Sequence, residues 1–206
     1  MALRDCSGSE HPDLPTTDCT GVVTDLSDCC RTLASEDEIL LYEDLSNQGN
    51  YFYWLILQAD ETPLVVCNLE AYANKTQWQG RRADYLCAGW YNGDCYLAVI
   101  ELRRTLVKDN QAEDKLAQLR QSITQIISSL PILTASLPFK EACHEPEEYK
   151  IIGVAIPTEH SKRRAEQTQP FTINGYTGIL ASLPNSYITD CRLSWSKLLA
   201  AVTNPS

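Results

Sequence analysis

The dipeptide Asn92-Gly93, set between two runs of apolar and aromatic residues, constrains this chain more than any other local feature. A two-residue type I′ turn needs positive φ at both central residues, which Asn and Gly tolerate best. With a two-residue loop, the register follows by counting outward. Tyr91 faces Asp94, Trp90 faces Cys95, Leu86 faces Val99 and Tyr85 faces Ile100. One step further, Asp84 faces Glu101. Directly opposed residues have Cβ atoms about 5 Å apart, and like charges placed there repel. Two carboxylates therefore meet at the end of a hairpin otherwise suited to a core. A hard divalent cation offsets such repulsion, since Mg²⁺ is typically held by one or two carboxylates with waters and phosphate oxygens. Arg103, two residues beyond Glu101, falls on the same face of its strand and brings positive charge there. Pairing of the two acids with Arg82 and Arg103 as surface ion pairs is the alternative that needs no metal.

The elements around the hairpin alternate. Ser35 followed by Glu38 is a capping-box pattern and predicts a helix to about Leu45. Residues 51–57 and 64–67 read as strands, and 68–77 as a helix. Asp109 or Asn110 caps a helix in which Leu116, Leu119, Ile123, Ile126 and Leu130 keep helical spacing, with Pro131 as its stop. The apolar run 149–156 predicts a buried strand. Residues 158–167 read as a polar helix, 171–180 as a hairpin about Asn174-Gly175, and 195–202 as a closing helix. This alternation predicts an α/β domain with a mixed central sheet flanked by helices. Residues 1–32, polar and aperiodic, read as an irregular amino-terminal arm, and 33–206 as a single α/β domain.

Charge and cysteine usage bear on function. The formal net charge is −10, whereas a protein that binds nucleic acid alone usually presents a basic surface. Basic residues do cluster locally, at Arg81-Arg82, Arg103-Arg104 and Lys162-Arg163-Arg164. The nine cysteines are odd in number, no Cys-x-x-Cys occurs, and the opening residues lack the apolar core of a signal peptide. These features favour free thiols and a cytoplasmic location. Cys143-His144 reads as a loop cysteine beside a solvent histidine. The sequon Asn74-Lys75-Thr76 carries no weight without secretion. No apolar run approaches the roughly 20 residues that span a bilayer, so no membrane partner is expected.

The sequence Ala83-Asp84-Tyr85-Leu86, the Asn-Gly turn and Val99-Ile100-Glu101-Leu102-Arg103 together resemble the core of the PD-(D/E)XK nuclease superfamily. There an Asp begins one strand and a Glu-x-Lys ends the next. The resemblance covers residues 64–130, with 149–156 as the following element, and implies a restriction-endonuclease-like core. It implies a metal-dependent nuclease hydrolysing phosphodiester bonds of DNA or RNA, with Mg²⁺ or Mn²⁺ held by Asp84, Glu101 and the carbonyl of Leu102. Arg103 stands in the Lys position; it can stabilise phosphate charge but is effectively never deprotonated. The resemblance implies a further acid from an upstream helix, Glu70 first and Glu38 or Glu43 second. It also implies a polar residue on the following helix, Gln118 with Lys115 and Gln121 as alternatives. The second reading is a non-catalytic accessory subunit of a larger nucleic-acid-processing or defence complex, in which other protein subunits supply the basic surface.

Overall fold

The computed structural model describes residues 6–8, 10–19, 21–44, 52–60, 62–76, 82–103, 109–144, 148–157, 168–183 and 187–203. The expected helix at 158–167, which contains the Lys162-Arg163-Arg164 cluster, lies outside them.

The Asn-Gly turn forms as the sequence requires, with Asn92 at φ 50° and Gly93 at φ 86°. It joins β6 (Tyr85–Tyr91) to β7 (Asp94–Arg103), paired Tyr91↔Asp94 through Tyr85↔Ile100. On one side β6 pairs antiparallel with β5 (Leu64–Asn68), and β5 with β2 (Cys30–Leu33). On the other side the chain leaves β7, passes through α2 (Asp109–Ala135) and α3 (Leu137–Ala142), and returns as β8 (Tyr149–Pro157), parallel to β7. β10 (Tyr176–Ser182) lies parallel to β8, and β9 (Thr168–Ile173) pairs antiparallel with β10 about the second Asn-Gly turn. The result is a seven-stranded mixed sheet, ordered β2-β5-β6-β7-β8-β10-β9.

Side-chain alternation along these strands builds two cores. Val65, Leu86, Leu97 and Val99 face α2, whose Leu119, Ile123 and Ile126 pack on them. Val66, Tyr85, Ile100 and Leu102 face the other way, onto a second sheet. That sheet has β4 (Phe52–Gln58) paired with β3 (Glu38–Asp44) on one side, and with β1 (Ser7–Gly8) and β11 (Arg192–Ser194) on the other. The closing helix α4 (Trp195–Thr203) contributes Trp195, Leu198 and Leu199 to the same core. Helices therefore cover one face of the large sheet, and a smaller sheet covers most of the other.

Three expectations are corrected. The segment after Ser35 is strand β3, not a helix. Glu36 takes φ 71° in a turn where the Asp37 carboxylate accepts from the Ala34 N–H at 3.0 Å. Ile39, Leu40 and Leu41 are all fully buried, and pairing with β4 accommodates a continuous apolar run that one helix face would not. Pro131 does not stop α2, which runs to Ala135. Leu130 and Leu133 are both buried in the helix-side core, and their burial offsets the single hydrogen bond the proline removes.

The third correction concerns the cysteines. Cys6–Cys191, Cys19–Cys29, Cys30–Cys67 and Cys95–Cys143 are disulfides, and Cys87 is a buried free thiol. Cys143, in the bend just after α3 and beside an exposed His144, is thus a buried bridge member and not a free thiol. Odd number and missing Cys-x-x-Cys were poor guides, because bridges between strands distant in sequence leave no local spacing pattern. The amino-terminal segment has little regular structure, yet it is stitched to the body. The Cys6 carbonyl accepts from Trp54 N–H, the Pro15 carbonyl accepts from Leu40 N–H, and Leu26 and Cys29 are buried. No helix among the described residues is long and apolar enough to cross a membrane.

Candidate functional site

The acid pair sits where β6 begins and β7 ends, at the carboxyl end of the parallel strands β7, β8 and β10. Ligands of open α/β sheets commonly bind at that end. Backbone pairing of the hairpin stops at Tyr85↔Ile100. Asp84 N–H still reaches the Ile100 carbonyl at 3.0 Å, and the Asp84 carbonyl accepts from Leu69 N–H at 2.9 Å. Two residues beyond Ile100 along β7, the Leu102 N–H has no β6 carbonyl to pair with. The Asp84 carboxylate takes it, with Oδ2 at 2.6 Å. Asp84 thus closes the ladder with its side chain, and the observed contribution of Leu102 is its N–H.

Glu101 is fully buried and Asp84 is 7% exposed. Burial, then the charges of Glu101 and Glu43, push the Asp84 carboxyl well above the usual carboxylate range. Alternation puts Glu101 on the α2 side of the sheet. There Oε1 pairs with Arg103, and Oε2 accepts from Gln118 Nε2 at 2.9 Å. Gln118 Nε2 also donates to the Arg82 carbonyl. Arg103 reaches onward to Glu43 of β3, with Nη1 3.1 Å from Oε1. Burial works against the Arg103 charge, but Glu101, Glu43 and Asp84 outweigh it and keep the guanidinium protonated.

Four of the residues singled out from the sequence, Asp84, Glu101, Arg103 and Gln118, therefore converge. Glu70 is exposed in the first turn of α1 (Leu69–Thr76) and makes no bond to the cluster. Glu38 pairs with Arg192 at 3.0 Å. Glu43 is the acid that arrives, from a strand rather than a helix. Gln121 is exposed beside Arg120 and Gln169 in a groove of about 490 Å³. The Lys115 side chain lies outside the described residues. Sequence reasoning missed Ser122, whose Oγ accepts from the Ala83 N–H at 2.7 Å. The available signal was a serine four residues after Gln118 within an apolar helical stripe.

Among the described residues, no group of three or more His, Cys, Asp and Glu side chains is gathered to hold a metal ion. Two carboxylates supplemented by water and phosphate oxygens nevertheless suit Mg²⁺ or Mn²⁺. Of the two, Asp84 Oδ1 takes no hydrogen bond among the described residues, whereas both Glu101 oxygens are engaged, by Arg103 and by Gln118.

Comparison with protein-family models, with curated proteins and with solved structures returned no match.

Proposed function

We propose that this chain is a PD-(D/E)XK-like, metal-dependent nuclease acting on phosphodiester bonds of DNA or RNA. The observation that carries the reading is the convergence of Asp84, Glu101, Arg103 and Gln118 at one end of the central strands. A buried carboxyl such as Asp84, raised by desolvation and then by Glu101 and Glu43, is a candidate for chemistry. The order of elements supports it too. The apolar strand β5, the short helix α1, strand β6 just after Asp84, strand β7 ended by Glu101-x-Arg103, the amphipathic helix α2 with α3, and the buried strand β8 follow one another. This is the succession that a restriction-endonuclease-like core implies.

In this reading Asp84 and Glu101 hold Mg²⁺ or Mn²⁺, which supplies Lewis acidity toward a phosphate oxygen. Arg103 leaves Glu101 to pair with the phosphate, where its planar fork stabilises charge developing on oxygen. Gln118 keeps Glu101 oriented while Arg103 is away. Water adds to phosphorus, one P–O ester bond breaks, and the departing oxygen takes up the proton the water gives up. The body carries a net charge of −10, so other protein subunits supplying basic surface would strengthen binding.

A second reading has its own observation. Glu101 is fully enclosed, both its oxygens are engaged, and Arg rather than Lys follows it. A closed network of this kind suits a non-catalytic accessory subunit of a nucleic-acid-processing or defence complex built on the same core. Under either reading, the four disulfides favour maturation in an oxidising compartment over the cytoplasmic location expected from the sequence.

Calorimetric titration of Mg²⁺ and Mn²⁺ into the wild type, Asp84→Ala and Glu101→Ala separates the two. The nuclease reading expects binding by the wild type alone. It also expects cleavage of single- or double-stranded DNA or RNA that chelator abolishes. If the wild type neither binds metal nor gains thermal stability from it, the accessory reading replaces the nuclease reading.

A further inference from the structure

We propose that Ser122 is a positioning residue for the acid pair, clamping with Gln118 the peptide that leads into Asp84. The proposal rests on the reading of Asp84 and Glu101 as a metal-binding pair. Gln118 and Ser122 are four residues apart on α2 and so project from the same side of the helix. Gln118 Nε2 donates to the Arg82 carbonyl oxygen, and Ser122 Oγ accepts from the Ala83 N–H at 2.7 Å. That carbonyl and that N–H are the two ends of one planar peptide unit. Gripping both ends sets the rotation of the plane, and with it the direction in which the chain enters Asp84. The same Gln118 nitrogen reaches Glu101 Oε2 at 2.9 Å. One turn of α2 therefore places both carboxylates, Glu101 through its side chain and Asp84 through its backbone.

The burial of Ser122 gives the contact weight. It is fully buried beside Leu119 and Ile123 of the apolar stripe. An apolar residue there would leave the Ala83 N–H enclosed without its acceptor. Gln118 stands one hydrogen bond from a ligand and Ser122 holds the peptide that precedes one; loss of such support weakens metal affinity.

The test is Mn²⁺ titration by calorimetry with parallel thermal melts on the full chain. Ser122→Ala is expected to weaken Mn²⁺ binding by about 10-fold or more. Ser122→Thr keeps the hydroxyl and is expected to restore most of that affinity. Ile123→Val, next along the helix and without a polar role, is expected to lower Tm and leave Mn²⁺ affinity unchanged. If Ser122→Ala behaves like Ile123→Val, losing Tm but not affinity, the positioning role is overturned while the metal site stands. Should Ser122→Ala not fold, Ser122→Cys offers a weaker acceptor of similar size, and wild-type affinity in that variant overturns the proposal. A wild type that takes no Mn²⁺ overturns the metal reading and the positioning role with it.

Discussion

Arg103 of the seven-stranded sheet crosses to Glu43 of the smaller sheet, its Nη1 3.1 Å from Oε1, while its other terminal nitrogen holds Glu101. One guanidinium thus ties the two sheets together beside the candidate site. The exposures of Arg103, Glu43 and Glu101 side chains are 24%, 14% and 0%. Removing the cation leaves Glu101 enclosed and facing Asp84 and Glu43. Arg103→Ala is therefore expected to lower stability by roughly 3 kcal/mol, the usual result of breaking a buried pair from one side. Arg103→Lys keeps the charge but not the fork, and should fall between. Urea denaturation of the three proteins checks the order.

The opposite sign is expected at Asp84. Asp84→Asn retains an oxygen to accept from Leu102 N–H and removes a charge that burial, Glu101 and Glu43 all disfavour. The variant should be more stable than the wild type at pH 7, because it removes a charge that its surroundings disfavour, and should lose metal binding. Equal or lower stability in urea would mean that the Asp84 charge is itself a structural asset.

Tyr85 makes the second tie between the sheets. Its hydroxyl donates to the Tyr42 carbonyl and accepts from the Tyr42 N–H, each at 2.9 Å. Tyr85→Phe leaves both groups of a half-buried strand residue short of a partner. A loss of roughly 1–3 kcal/mol is expected, read as a shift in the urea midpoint.

The disulfides make a prediction about the amino-terminal segment. Cys6–Cys191 closes a loop of sequence separation 185. The chain-entropy model assigns such a bridge roughly 5 kcal/mol. Cys6→Ser with Cys191→Ser should lower Tm strongly, and deletion of residues 1–32 should do so further. A Tm unchanged by the deletion would restore the picture of a detached arm.

Cys87 should be chemically silent in the folded chain. It is buried and unpaired, and burial pushes its thiol well above the ordinary value. A raised folded pKa stabilises the native state fully below the unfolded value of about 8.5 and loses that stabilisation as pH rises above it. Iodoacetamide should label no thiol in the native, non-reduced protein at pH 8.5, and one in denaturant. Mass spectrometry counts the adducts, and more than one in denaturant without reductant would contradict the four bridges. Cys87→Ala should flatten the alkaline loss of stability.

Local chemistry was legible in the chain itself. Asn92-Gly93 and Asn174-Gly175 form turns because the dipeptide's own backbone preferences decide there, and counting from the first turn holds as far as Tyr85↔Ile100; beyond it the Asp84 N–H bonds the Ile100 carbonyl instead of pairing Asp84 with Glu101. The stripe of α2 and the run of β8 were readable for the same reason: periodicity reports which faces are buried. Tertiary structure decided what periodicity cannot encode. Ser35 and Glu38 look like a helix cap, but β4 offers Ile39, Leu40 and Leu41 a ladder and a core, and pairing outweighs local preference. Glu43 reaches the site only because the small sheet packs across the large one. The cysteine partners are equally non-local: Cys6 and Cys191 meet because β1 and β11 both pair with β4, a neighbourhood that no spacing in the chain announces.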